Sequence, residues 1–227
     1  MNDYIKKSHK NNLQERKEYT VFGSVNLFIK DPLPRDIDVS SIIMDLEDTI
    51  PRKFFHEIDI VLVGQIPELI DRGLRGAYLD GGIYITNEQP SDEQMFEDIV
   101  HEIAHAVEKT YEFELYGDGN IEREYTSKKI TFLNLMHANG ISVPNRIKYE
   151  NEYSKAFDEF LYYTLGYEKV EKFSNGLFIS PYAPVSISEY FATAFEAYFV
   201  NTQQEYVKKI SPYLYEKIRE ITKEEEI

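Results

Sequence analysis

Apolar residues in the first part of the chain repeat with the period of two that is typical of strands. This alternation predicts a first strand at about 20–29, which the proline-containing loop after it would end. A β-branched apolar run at 58–63 predicts a buried strand. Two short apolar runs within 76–86 flank the turn-forming residues Asp80-Gly81-Gly82 and predict a hairpin.

Helical periodicity takes over in most of the remaining chain. Ser40 and Ser41 are candidate N-caps for a helix that Pro51 would stop. Ser91, with a glutamine three residues later and two acids in the first turn, predicts the start of a helix that continues to about Tyr111. Further helices are predicted near 127–138, 151–165, 186–200 and 203–222, with a loop at 166–176.

The order of these elements predicts the fold class and the domain organisation. Strands come first and helices dominate afterwards, which is typical of the α+β class. Residues 1–18 are polar with little periodicity, and they predict a flexible N-terminal arm. No repeat or Gly/Ser linker divides the rest of the 227 residues. We therefore expect a single domain over 19–227, with a helical insert at about 112–165.

The composition excludes several classes of function. The chain has 25 Lys and Arg against 40 Asp and Glu, a net charge of −15, so its overall field would repel nucleic acid and anionic membranes. We expect neither as a partner. The absence of cysteine excludes disulfides, thiolate catalysis and cysteine-ligated zinc. A metal ion would have to be bound by His, Asp or Glu.

The sequence predicts neither a signal peptide nor a transmembrane segment. The start lacks an apolar core of signal-peptide length, and no stretch of about 18 apolar residues follows. The default expectation is a cytoplasmic location. A phage-encoded protein, or delivery by a route without a signal peptide, is the alternative.

The motif with the clearest chemistry is His101-Glu102-Ile103-Ala104-His105, inside the helix that Ser91 starts. Residues four apart lie on one helix face, so the two imidazoles are close enough to bind one ion. Zinc binds neutral imidazole well, and Glu102 is placed to act as a general base toward zinc-bound water. Random order would produce this pattern about 0.01 times in such a chain. The alternative is two partly exposed histidines beside a solvated acid.

A catalytic zinc site of this type needs a third protein ligand. Glu189 is a single acid at the start of a strongly apolar predicted helix, where a buried carboxylate needs a partner. Alternatively, Glu189 is a helix-terminal acid that the helix dipole favours. Together with the histidine pair, the pattern favours one bound Zn²⁺ per chain, held by His101, His105 and Glu189.

These residues resemble the gluzincin metallopeptidases typified by the catalytic domain of anthrax lethal factor and by the bacterial Pro-Pro endopeptidases. The resemblance covers about 76–200 and rests on three short segments. They are the His101–His105 motif followed by Ala-Val, the Glu189-Tyr-Phe-Ala-x-Ala-Phe segment, and Tyr182, which lies seven residues before Glu189 as the family's catalytic tyrosine does. The resemblance implies a zincin-like fold, peptide hydrolysis, and a Tyr182 phenol that stabilises the oxyanion of the tetrahedral intermediate.

The resemblance also implies a strand that binds substrate. In zincins the edge strand before the active-site helix pairs with extended peptide. Ile83, Tyr84 and Ile85 would form that strand here, and the alternative is an ordinary hairpin.

The sequence departs from the family pattern in two places. From His105 to Glu189 is 84 residues, a long separation, so a preference for proline-containing substrates is not carried over. Thr193 stands one turn after Glu189, where the resemblance implies an acid that supports a ligand histidine.

The first hypothesis is therefore a zinc-dependent endopeptidase of zincin-like α+β fold. The net charge suggests a basic or neutral polypeptide substrate, unless the acidity serves solubility alone. The second hypothesis keeps the chemistry and changes the biology: a repressor-cleaving peptidase of a mobile element or phage. The third is a non-catalytic binding or virion-structural module in which zinc is a structural staple, closed by a fourth protein ligand.

Overall fold

The computed structural model describes residues 17–144, 150–200 and 203–223. Most of the predicted arm, residues 1–16, lies outside the described residues. Lys17 and Glu18, which the prediction also assigned to the arm, belong instead to the first strand. Backbone contacts divide the chain into two compact units, 1–107 and 108–227. The single peptidase domain and its insert stay predictions.

The first unit contains one mixed five-stranded sheet. Its strands are β1 (Lys17–Val21), β2 (Val25–Ile29), β3 (Ile60–Gly64), β4 (Gly76–Leu79) and β5 (Gly82–Thr86). Their order is β1-β2-β3-β5-β4. The β1–β2 and β4–β5 pairs are antiparallel, whereas β2, β3 and β5 run parallel. The buried alternation of β3 and β5 supplies much of this unit's core, through Val61, Val63, Ile83 and Ile85.

The prediction of one strand at 20–29 is wrong, because the chain reverses in the middle of it. Phe22 and Gly23 have φ values of 51° and 64°, and they form the turn of a β1–β2 hairpin. Apolar alternation continues through the turn, so the pattern alone did not show the reversal.

The position of β5 also corrects a prediction. Ile83, Tyr84 and Ile85 were expected to form an edge strand, but β5 pairs with β3 on one side and with β4 on the other. Its backbone groups are therefore already used in the sheet. The edge strand at this end of the sheet is β4, whose outer side has no strand partner among the described residues.

Among the described residues of this unit, the α-helices are α1 (Val39–Thr49), α2 (Pro67–Arg72) and α3 (Asp92–Thr110), and Arg52–Phe55 forms a 3₁₀ helix. Helix α3 ends within the second unit. The start of α1 differs from the prediction. Its N-cap is Asp38, whose carboxylate accepts hydrogen bonds from the backbone of Ser40 at 3.0 Å and of Ser41 at 3.3 Å. The two serines are thus the first-turn donors and not the cap.

The second unit is helical. Its helices are α4 (Glu112–Tyr116), α5 (Asn120–Ala138), α6 (Lys155–Glu159), a π-helical turn (Phe160–Leu165), α7 (Tyr167–Ser174), α8 (Ile187–Phe199), α9 (Gln204–Ile210) and α10 (Pro212–Lys223). Its core includes a cluster of aromatic rings, with Tyr125, Phe178 and Tyr190 in mutual edge or tilted contact.

Two predictions fail in this unit. The loop expected at 166–176 contains α7, which begins after Gly166 and buries Val170. The single helix expected at 203–222 is two helices, because Pro212 lacks the N–H that would continue α9 and instead opens α10.

The α+β class is confirmed by the sheet of the first unit and the helices of both. Among the described residues, no helix combines the length and apolar character that crossing a membrane requires.

Candidate metal centre

Helix α3 positions the two motif histidines. Ser91 opens the helix, its hydroxyl accepting a hydrogen bond from the Gln94 backbone at 3.2 Å, as predicted. The imidazole rings of His101 and His105 have centroids 5.3 Å apart, and both side chains are half-buried. Apart from Glu102, the other residues of the same turns are apolar and buried: Val100, Ile103, Ala104, Ala106 and Val107. Because these neighbouring side chains pack into the core, the directions in which the two imidazoles can point are restricted.

Glu102 is buried against the first residue of β4. Its side chain is 6% exposed. A Cβ atom built on Gly76 would lie 2.6 Å from Glu102 Oε1, closer than atoms can approach. The carboxylate therefore occupies the space that a side chain at position 76 would take.

A polar network holds the start of β4 against α3. Arg75 Nε lies 3.1 Å from Asp98 Oδ2, and Gln89 Nε2 donates to the same oxygen at 3.1 Å. Gln89 also donates to the Thr86 carbonyl at 3.0 Å. Burial raises the pKa of Asp98, and the Arg75 charge opposes that rise. The network joins the β4–β5 hairpin to the helix that carries the histidines.

Helix α8 positions Glu189 in its first turn. The N-cap is Ser186, buried to 1% exposure, whose hydroxyl accepts a hydrogen bond from the Glu189 backbone at 3.1 Å. The neighbouring Tyr190 and Phe191 are fully buried, so the helix cannot rotate without exposing them. Glu189 itself is half-buried.

The residue before Glu189 is held by a second carboxylate. The Ser188 hydroxyl donates to Glu108 Oε2, and the Tyr116 hydroxyl donates to Glu108 Oε1 at 2.5 Å. Burial raises the pKa of Tyr116 well above its ordinary value, and the Glu108 charge adds to this effect. The phenol therefore keeps its proton and remains a donor to Glu108.

One ligand atom of each of His101, His105 and Glu189 lies within 4.8 Å of the others, so this group could hold a metal ion. Two imidazoles and one carboxylate form a donor set that fits zinc, although other divalent metals also bind it. No other group of three such residues meets the same distance criterion in the described parts of the chain.

Tyr182 is half-buried in the segment that precedes α8. Its backbone N–H donates to the Ser180 hydroxyl at 3.2 Å, and its ring centroid lies 5.9 Å from that of Tyr167. Burial raises the pKa of Tyr182, and the negative charges of Glu189 and Asp158 raise it further. A phenol carries its proton at neutral pH in any case, and the raised pKa extends the range in which Tyr182 can act as a hydrogen-bond donor to higher pH.

Thr193 has a structural role one helical turn after Glu189. Its side chain is buried, and its hydroxyl donates to the Glu189 carbonyl at 2.8 Å. It satisfies the helix backbone one turn from the candidate ligand, where the family resemblance implied an acid. His56 and His137 are exposed and do not belong to the metal-binding group.

Sequence reasoning missed Gly76, Ser186 and Glu108. A serine three residues before Glu189 was a readable cap signal. Gly76 and Glu108 carried no comparable signal, because their roles depend on contacts with residues far along the chain.

Neither a scan against protein-family models nor searches of curated proteins and of solved structures finds a match to this chain.

Proposed function

We propose that this protein is a zinc-dependent endopeptidase of zincin-like fold, similar in chemistry to the gluzincin metallopeptidases. The observation that carries the proposal is the grouping of His101, His105 and Glu189 around one point, with Glu102 next to the first histidine. When bound, zinc would supply a Lewis acid that polarises the peptide carbonyl and lowers the pKa of water.

The residues of the chain would then divide the remaining work. Glu102 would take a proton from the attacking water as the oxygen bonds to the carbonyl carbon, and pass it to the amine when the C–N bond breaks. Tyr182, whose phenol is protonated at neutral pH as that of an ordinary tyrosine is, would donate a hydrogen bond to the oxyanion.

The edge strand β4 replaces β5 as the proposed binding strand for extended substrate. Its outer backbone groups have no strand partner among the described residues, whereas those of β5 are paired on both sides. Substrate addition to an exposed edge needs unpaired backbone groups.

A catalytic role is supported over a structural staple by the number of ligands. Among the described residues, three side chains belong to the metal-binding group. Structural zinc sites, by contrast, have four protein ligands. Three protein ligands leave a position for water or substrate.

The test is a zinc-dependent peptide-cleavage assay on the wild-type chain and on Glu102→Gln. We expect wild-type cleavage to stop with a chelator and return with Zn²⁺, and Glu102→Gln to retain zinc but lose about 10²–10⁴-fold in kcat. The matched control is Glu93→Gln, an exposed acid in the first turn of the same helix, which should leave kcat unchanged. Full activity of Glu102→Gln would refute the mechanism, and a wild-type chain that cleaves no peptide with Zn²⁺ would refute the function.

A further inference from the structure

We infer that Gly76 is a positioning residue for catalysis, because its missing side chain provides the space in which the Glu102 carboxylate is held. The inference rests on the proposed function, in which Glu102 moves the proton. It goes further by assigning the placement of that base to a residue of β4, 26 positions earlier in the chain.

The contact involves the whole end of the Glu102 side chain. A Cβ atom at position 76 would lie 2.6 Å from Oε1, 2.9 Å from Cγ and 3.1 Å from Cδ. Ordinary contact begins at 3.4 Å, so the carboxylate would have to move by about 0.8 Å to admit a methyl group. Glu102 is 6% exposed, so it is surrounded by closely packed protein atoms and not by water molecules that could move aside.

The backbone does not require glycine at this position. Gly76 is not among the glycines with positive φ, whereas Gly73 and Gly81 on either side of the strand are. Glycine weakens a strand because it has no side chain to pack, so its presence here needs another reason. Close approach of another group to the backbone is such a reason, and that group is the Glu102 carboxylate.

The strand is held in place, so it is Glu102 that must yield. Gly76 is paired with Ile85 in the β4–β5 ladder. The preceding Arg75 accepts a hydrogen bond from the Thr86 backbone at 2.9 Å through its carbonyl and contacts Asp98 through its guanidinium. These contacts hold the backbone on both sides of position 76.

A Cβ atom at position 76 should therefore lower the rate without removing the metal. A displacement of this size at a proton-transferring group is expected to lower kcat about 10–100-fold. The three atoms nearest to the added Cβ all belong to Glu102 and none to a histidine, so zinc affinity and KM should change less than twofold.

Gly64→Ala is a matched control for Gly76→Ala. Gly64 ends β3 of the same sheet, is likewise not among the glycines with positive φ, and a Cβ atom there would lie 2.7 Å from Asp31 Oδ2. Both substitutions push a methyl group against a carboxylate oxygen, but only one carboxylate belongs to the proposed site. Both substitutions should therefore lower the stability of the fold. In Gly64→Ala, however, kcat should stay unchanged.

A double-mutant cycle with Glu102→Asp separates positioning from general damage to the fold. Shortening the side chain by one methylene removes the closest of the three contacts, that with Oε1 at 2.6 Å, and leaves the contact with Cγ. Gly76→Ala should therefore lower kcat at least fivefold less in the Glu102→Asp background than in the wild-type background. The unfolding midpoints of the same four proteins should show coupling of the same sign.

The possible results distinguish a failure of the proposed function from a failure of the role assigned to Gly76. Peptide cleavage by the wild-type chain is established first, and its absence refutes the proposed function itself. With an active wild type, additive effects in the cycle, unchanged kcat in Gly76→Ala, or loss of zinc from that variant would each overturn the role of Gly76. If Gly76→Ala does not fold, recovery of folding in the double variant supports the contact, and failure of both variants overturns it.

Discussion

At the scale of single residues, Tyr182 shows how surroundings set chemistry. A phenol donates a hydrogen bond only while it keeps its proton. Burial and the carboxylates of Glu189 and Asp158 raise the pKa of Tyr182, so this phenol keeps its proton at a higher pH than an ordinary tyrosine does. Its ring rests against Tyr167, which limits the directions in which the hydroxyl can point.

Removing that hydroxyl tests the proposed role directly. Tyr182→Phe keeps the ring and its contact with Tyr167, so the variant should fold and bind zinc as the wild type does. We expect kcat to fall about 10²–10³-fold with KM little changed, the effect of losing one oxyanion donor. Steady-state kinetics with zinc-loaded protein would measure it.

The control is Tyr163→Phe, a tyrosine that is 73% exposed in the π-helical turn, which should have wild-type kinetics. Equal kcat for Tyr182→Phe and wild type would remove Tyr182 from the catalytic set.

At the scale of elements, the capping of α8 matters because the candidate ligand lies in its first turn. The Ser186 hydroxyl accepts a hydrogen bond from the backbone N–H of Glu189 itself. A cap normally contributes to stability alone. Here it also fixes the backbone of a residue proposed to bind the metal.

Ser186→Ala should therefore affect both properties. We expect a loss of about 1 kcal/mol in the free energy of unfolding, measured by urea denaturation. Zinc affinity, measured by competition with a chelator, should fall, but by less than in Glu189→Ala, in which the ligand itself is gone.

Ser154→Ala is the matched control. Ser154 stands at the N-cap of α6 but makes no side-chain capping hydrogen bond. Its replacement should change neither stability nor zinc affinity. A Ser186→Ala protein with unchanged zinc affinity would mean that the cap does not help to position Glu189.

Some helices and strands could be predicted from local sequence patterns, whereas the position of others in the fold could not. The helix around the His101–His105 motif was predictable because capping and apolar periodicity agree within one segment. The central position of β5 was not, because strand order is decided by pairing between segments. The same apolar run suits an edge strand or a central one.

At the scale of the whole molecule, buried lysines in a chain of net charge −15 should shape its pH dependence. Lys128 donates to the Tyr190 hydroxyl at 2.8 Å and to the Ser211 hydroxyl at 3.0 Å. Burial lowers the pKa of Lys128 from 10.5 to about 8, against the opposing charge of Glu124. Burial likewise lowers the pKa of Lys129 from 10.5 to about 8.

The sign of the effect follows from proton binding. Between about pH 8 and 10.5 the unfolded chain keeps the lysine protons that the folded chain has lost. The free energy of unfolding should therefore rise with pH in that window. Above about pH 10 the buried tyrosines Tyr125 and Tyr190, whose pKa values burial raises, keep protons that the unfolded chain loses. Stability should then fall.

We therefore expect maximum stability near pH 9–10, measured by urea denaturation from pH 7 to 11. Lys128→Met should flatten the rise between pH 8 and 10, because one of the two responsible groups is gone. A wild-type stability that falls steadily from pH 7 would show that the folded state keeps both lysine protons.

Residue patterns along the chain were enough to predict the α+β class, the helix that carries His101 and His105, and Glu189 as their proposed partner. These follow from rules that act within a segment: the helical period brings residues i and i+4 to one face, and caps mark helix starts. The tertiary structure alone decided that 20–29 folds back as a hairpin, that β4 and not β5 is the edge strand, and that Gly76 leaves room for Glu102. Each of these depends on how a segment turns back or meets another, and apolar periodicity shows which face is buried but not what that face or strand packs against.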